Sequence, residues 1–180
     1  MVMDRSDLHS IQLQILNMAE LSFGPRDPAY VVLAPDFTPT GPKIQYPLKD
    51  SKFAQILIDD ACKLDFSKAV YQIAHECIHL LAPSTLAAVT VFEEGLATAF
   101  AHERYAILTN TSVPSSGDVK YDEARKLVEP ILKGDRSMIS KMRAERPRFN
   151  DFDSNFIALH TSIDARRCGI LSSEFSTWTP

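Results

Sequence analysis

Cysteine is scarce in this chain: Cys62, Cys77 and Cys168 lie far apart in 180 residues, with no CxxC pair and an odd total. That excludes the disulfide framework of small secreted domains and fits a reducing compartment. Long apolar runs are missing as well. No stretch approaches the ~18 residues that a membrane-spanning helix needs, and the polar N-terminus MVMDRSDLHS does not read as a signal peptide. A cytoplasmic protein without a membrane partner is the expectation. Nor does charge of one sign dominate, since 19 basic against 23 acidic residues leave a formal charge of −4. That balance argues against nucleic acid as a partner. Basic residues gather only at 141–149 and 165–167, where solvated helix faces account for them. Internal repeats and low-complexity segments are absent too.

What is present is an ordinary globular composition, 45% hydrophobic and 23% charged. A chain of 180 residues can bury a real core and is short for two domains. One domain over 1–180 is expected, with a helix and small sheet over about 1–65 and a helical part over 66–180. Leu8, Ile11, Ile15 and Met18 recur at helical spacing, predicting a helix from about Ser6 to Leu21 that Gly24 and Pro25 end. YVVLAP, KIQYP and FAQILID are short apolar or β-branched runs between turn residues and predict about three strands. FAQILID also fits a helical face, and strand is the preferred reading. A helix over Phe66–Leu81 has Asp65 or Ser67 as N-cap and Pro83 just beyond its end. Further helices are predicted at 91–107, 120–133, 136–144 and 152–170, with a loop at 112–118. The fold class is therefore α+β, mostly helical.

Within the helix ending near Leu81 stands His75-Glu76-Cys77-Ile78-His79. Histidines four apart share one helix face, so both imidazoles can reach one metal ion at about 2.0–2.1 Å. Glu76 is rotated about 100° from His75, beside such an ion instead of on it, where a carboxylate can serve as general base. Zn2+ in such a site lowers the pKa of a coordinated water to about 7 and polarises a carbonyl under attack. This HExxH pattern arises by chance in a chain of this composition on the order of one time in a hundred. A third ligand is what decides between metal and coincidence.

VFEEGLATAF at 91–100 offers one, because 14 residues between His79 and Glu94 suffice for a helical hairpin that returns an acid to the histidines. Glu93 and Glu94 are adjacent acids on an otherwise apolar helix, and burying a carboxylate without a partner is costly. Their plainer explanation is an exposed first turn, where acids favour the helix dipole.

HECIH followed by EEGLAT resembles the gluzincin group of zinc metallopeptidases, over roughly residues 68–102. Glu94-Gly95-Leu96-Ala97-Thr98 is similar to the segment of aminopeptidase N-like enzymes in which the Glu before the Gly binds zinc. The resemblance implies a zincin-like fold, one Zn2+ ion held by His75, His79 and Glu94, Glu76 as general base, and Glu93 as the outer neighbour. The chain departs from those enzymes in its shorter gap, in lacking their GxMEN segment, and in having Thr98 where the thermolysin-like pattern places a second-shell Asp. Amino-terminal specificity is therefore not implied. A metzincin pattern would need Gly and His where the chain has Ala82 and Thr85.

Glu94, Thr98, His102 and Tyr105 fall at spacings of four, four and three, on one helix face. Thr98 is a candidate to orient a histidine, and Tyr105 or His102 to stabilise an oxyanion. Tyr71, one turn before His75, is a similar candidate. His160, Arg166 and Arg167 have no spacing that ties them to the site, and Cys77 reads as buried packing. If FAQILID is the sheet's edge strand beside the cleft, a peptide substrate can pair with it. The expected function is zinc-dependent hydrolysis of peptide bonds. The alternative from another class is a non-catalytic zincin scaffold that holds metal for structure or regulation and binds a protein partner.

Overall fold

The computed structural model describes residues 2–48, 52–83, 88–111 and 117–180. Asp4 opens the first helix, α1 (Arg5–Phe23), by accepting from the backbone of Ser6 and Asp7 while Asp7 reaches back to its amide, a reciprocal capping box. Gly24, at φ +93°, ends the helix in a conformation that a side chain would resist. The chain then builds β1 (Val31–Thr38), β2 (Lys43–Gln45) and β3 (Phe53–Asp59).

The sheet order is β1-β3-β2, with β3 parallel to β1 and antiparallel to β2. FAQILID is thus a strand, but the central one, so it has no free edge to offer a peptide. The physical reason lies in its composition: Ala54, Ile56, Leu57 and Ile58 are all buried, as befits a strand covered on both faces and paired on both sides. The edge beside the cleft is the three-residue β2, flanked by Pro42 and Pro47. At the other edge, β1 shifts register between Leu33 and Asp36, where Pro35 has no amide to give the ladder.

Asp65, and not Ser67, caps α2 (Phe66–His79) by accepting from the Lys68 amide. Thr90 caps α3 (Val91–Thr109). His79 at the end of α2 meets Glu93 at the start of α3, while Tyr71 near the start of α2 meets Tyr105 far along α3. The two helices therefore run antiparallel as a hairpin. The connection expected around Ser84 and most of the loop at 112–118 lie outside the described residues.

Beyond the hairpin come α4 (Val119–Asp135), α5 (Ser137–Glu145), α6 (Ser154–His160) and α7 (Ala165–Leu171). The single helix expected over 152–170 is two. Thr161 turns extended and donates its hydroxyl to the Ile157 carbonyl, and Asp164 starts afresh by accepting from the Arg167 amide. Among the described residues the fold is α+β, mostly helical, with seven helices and one three-stranded mixed sheet. No helix there is long and apolar enough to cross a membrane.

Two features position the site. Gly95, in the first turns of α3, lets α4 approach so closely that an added Cβ would lie 2.8 Å from the Ala124 carbonyl carbon and from Val128 Cγ2. Arg143 of α5 is buried and donates to the carbonyls of Phe23 (2.9 Å), Gly24 (2.8 Å), Pro25 (2.9 Å) and Leu81 (3.0 Å). It ties the end of α1 to the end of the histidine helix, satisfying carbonyls that helix termini leave without partners.

Candidate metal centre

The amphipathic α2 buries Ala69, Val70, Ile73, Ala74, Cys77 and Ile78, which leaves His75 and His79 on the face toward α3. Their rings sit 5.1 Å apart between centroids. From α3, Glu94 places Oε2 at 3.1 Å from His75 Nε2 and 3.8 Å from His79 Nε2. The three ligand atoms all lie within 4.8 Å of one another. A tetrahedral ion with bonds near 2.1 Å needs ligand atoms about 3.4 Å apart, a value that the two measured separations bracket. The residues present thus fit a divalent cation in size and in donor type.

Glu93 points to the other side of the same imidazole. Its Oε1 lies 2.8 Å from His79 Nδ1, and since a carboxylate only accepts, Nδ1 carries the proton. That orients the ring so that its other nitrogen, Nε2, faces Glu94 and the cleft, the carboxylate–histidine arrangement that metal-binding histidines commonly have. The two adjacent acids of α3 therefore divide the work, one converging on the ligand atoms and one behind them. The exposed first turn does not apply: Glu93 is 5% and Glu94 8% exposed.

Electrostatics point the same way. Burial works to lower the pKa of His79, but the charges of Glu94, Glu93 and Glu76 outweigh it and carry the imidazole up to about 10. For Glu94, burial pushes the carboxyl upward, but the attraction of His79 and the hydrogen bond from His75 prevail and hold it below its ordinary value. Glu76 is 5% exposed, and burial keeps its carboxyl above the usual range against the pull of both histidines. Three buried carboxylates facing two imidazoles are a strongly cation-seeking set.

The group opens on a cleft of about 680 Å3, within the size that binds small organic ligands or a short peptide. Glu76, the edge strand β2 and Tyr71, Tyr105 and Tyr121 line it. Tyr121 was not among the sequence candidates. It enters from α4, its ring 5.7 Å from that of His75, and burial pushes its phenol up to about 12. Phe175, 4.9 Å away, backs that ring, while Phe175 N donates to Val89 O and Val91 N to Ser173 O, bracing the entry of α3.

The other candidates fall elsewhere. Thr98 is fully buried and donates to the Glu94 carbonyl of its own helix, so the orienting contact on His79 comes from Glu93 instead. His102 stands about 12 Å along the α3 axis from Glu94, packed edge-on against Tyr71, and Tyr105 about 16 Å along. Of these two only Tyr105 lines the cleft. His160 packs on Phe156 near Glu145, Arg166 and Arg167 are exposed, and none of the three lines the cleft. Cys77 is fully buried, as its spacing implied. No family model matches the chain, and no curated protein or solved structure matches it either, so its likeness to gluzincins rests on residues 68–102 alone.

Proposed function

We propose that this protein is a zinc-dependent metallopeptidase of the gluzincin kind on a zincin-like scaffold, with a peptide or protein as substrate. The observation that carries the reading is the convergence of His75 Nε2, His79 Nε2 and Glu94 Oε2 in an open cleft, with Glu93 holding the other ring nitrogen of His79. Two nitrogens and one carboxylate oxygen suit Zn2+, and three protein ligands are the number that catalytic zinc sites use, structural ones being closed by four. Among the described residues the group has three members. That favours catalysis over the structural or regulatory alternative.

A zinc ion bound there would supply the Lewis acidity that polarises the scissile carbonyl and makes a water reactive near neutral pH. The chain's own residues do the rest. Glu76, one residue beyond a ligand and lining the cleft, accepts a proton from the attacking water as its oxygen joins the carbonyl carbon. The same carboxyl, whose proton affinity burial raises, then delivers that proton to the departing amine as the C–N bond breaks. Glu93 holds His79 in place throughout, and the neutral phenol of Tyr121 can donate a hydrogen bond to developing negative charge beside His75.

The test combines metal analysis with Glu76→Gln. The purified protein should contain one equivalent of zinc, and the variant should keep it while losing peptide hydrolysis by a factor of about a hundred or more. A metal-free protein, or a variant that cleaves peptides at the wild-type rate, would overturn the proposal.

A further inference from the structure

We infer that the cleft holds, beside His75, a subsite for an uncharged aromatic side chain of the substrate, walled by Tyr71, Tyr105 and Tyr121. That a peptide bears this side chain follows from the peptidase reading; the wall itself does not depend on it. Three helices each send one tyrosine into the same cleft, Tyr71 from α2, Tyr105 from α3 and Tyr121 from α4. Tyr71 and Tyr105 meet edge to face at 6.5 Å and 74°, and Tyr121 meets His75 at 5.7 Å and 70°. Edge-to-face packing leaves ring faces and edges for a further ring, which is the geometry that aromatic clusters favour. Burial also pushes the Tyr71 phenol well above its ordinary pKa, so that ring stays neutral.

Position argues for a side chain next to the scissile bond. Tyr71 precedes His75 by four residues, about 6 Å along the axis, and an extended peptide advances about 3.4 Å per residue. A residue flanking the bond under attack therefore projects among these rings. Desolvation argues for a neutral one. Lys68 and Asp118 line the same cleft with opposite signs, and Asp122 and Arg125 act on the Tyr71 phenol in opposite directions, so neither charge is singled out. A charged group placed among three phenol rings would lose its hydration without gaining a dedicated partner, a cost that a neutral ring does not bear.

The experiment separates this subsite from the peptidase reading by using binding as well as turnover. Hydroxamates of N-acetyl-phenylalanine, N-acetyl-alanine, N-acetyl-lysine and N-acetyl-glutamate, which chelate zinc in the same way, are titrated calorimetrically into the zinc-loaded protein. The phenylalanine compound should bind about tenfold or more tighter than the others. Tyr105→Ala, which lies outside the ligand group, should reduce that ratio severalfold, and Tyr71→Phe, which keeps the ring, should preserve it. In parallel, a library of quenched peptides varied on both sides of the cleaved bond should show the same preference in kcat/KM.

Aromatic selectivity in binding with no peptide cleaved would leave the subsite standing and remove the peptidase reading. Cleavage with equal binding of the phenylalanine and alanine compounds, or with tighter binding of lysine or glutamate, would remove the subsite and leave the peptidase. Failure of every hydroxamate to bind would remove both.

Discussion

Replacing Gly95 by alanine sets two effects of opposite sign against each other. In a helix interior, alanine is favoured over glycine by about 1 kcal/mol, so the propensity of α3 alone predicts a more stable protein. At Gly95, however, the new methyl would sit 2.8 Å from the Ala124 carbonyl carbon and from Val128 Cγ2, where ordinary contact begins at 3.4 Å, and closer still to the Ala124 carbonyl oxygen. Two of those atoms are backbone, which no rotamer change can move aside. Relief requires α4 to back away by roughly half an ångström or more, and a gap of that size forfeits a quarter to a half of the dispersion attraction of the atoms it separates. Overpacking of this kind costs about 1–3 kcal/mol, and a backbone clash belongs at the upper end. The net expectation is a loss of about 2 kcal/mol. For a chain of this length that is a fall in Tm of about 4–8 °C by calorimetry. Because Tyr121 lies one turn before Ala124 on α4, the same displacement should draw its ring off His75, which the chemical shifts of the His75 ring protons would report. A variant as stable as the parent, or more stable, with unchanged His75 resonances would refute the close approach of α3 and α4.

Metal affinity should rank the acids of α3: Glu93→Gln, which weakens the grip on His79 Nδ1, is expected to lower zinc affinity about 10- to 100-fold, and Glu94→Ala to lower it further, as read by competition with a chromogenic chelator. The reverse order would make Glu93 the ligand. Removing zinc with a chelator should lower Tm, since an ion at a thousand times its Kd contributes about 4 kcal/mol, and an unchanged Tm would show that the folded state has no preference for the metal. Arg143→Met should move the urea midpoint down by the equivalent of about 3 kcal/mol or more, because the carbonyls of Phe23, Gly24, Pro25 and Leu81 lose their buried donor; a loss under 1 kcal/mol would show that water replaces it freely.

What could be read from residues alone divides along the range of the interaction. Signals carried within a turn or two of the chain were legible. Asp65 and Pro83 bracket the histidine helix, the spacing of His75 and His79 puts both on one face, and 14 residues to Glu94 allow the hairpin that places it 3.1 Å from His75. The break in the expected helix over 152–170 was also written locally, in the capping residues Asp153 and Asp164, but the apolar period running through it masks them. Long-range choices were not legible. FAQILID announces a strand yet says nothing of which neighbours will pair with it, and so its central place between β1 and β2 had to come from the fold.

Tyr121 marks the boundary between the two kinds of information. It lies in a helix far along the chain, and no spacing links it to His75. The link runs through Gly95, the residue after the candidate ligand Glu94. A glycine there is helix-weakening by itself, and its use is to admit the backbone of another helix at Ala124, one turn from Tyr121. The same dipeptide, Glu94-Gly95, thus supplies the acid that meets the histidines and the space through which the cleft's third wall is brought up to it. Where an acid that closes a histidine pair is followed by a glycine, the search for the opposite wall of the site should begin among helices able to place a small residue against that glycine, with the aromatic one turn away as the candidate.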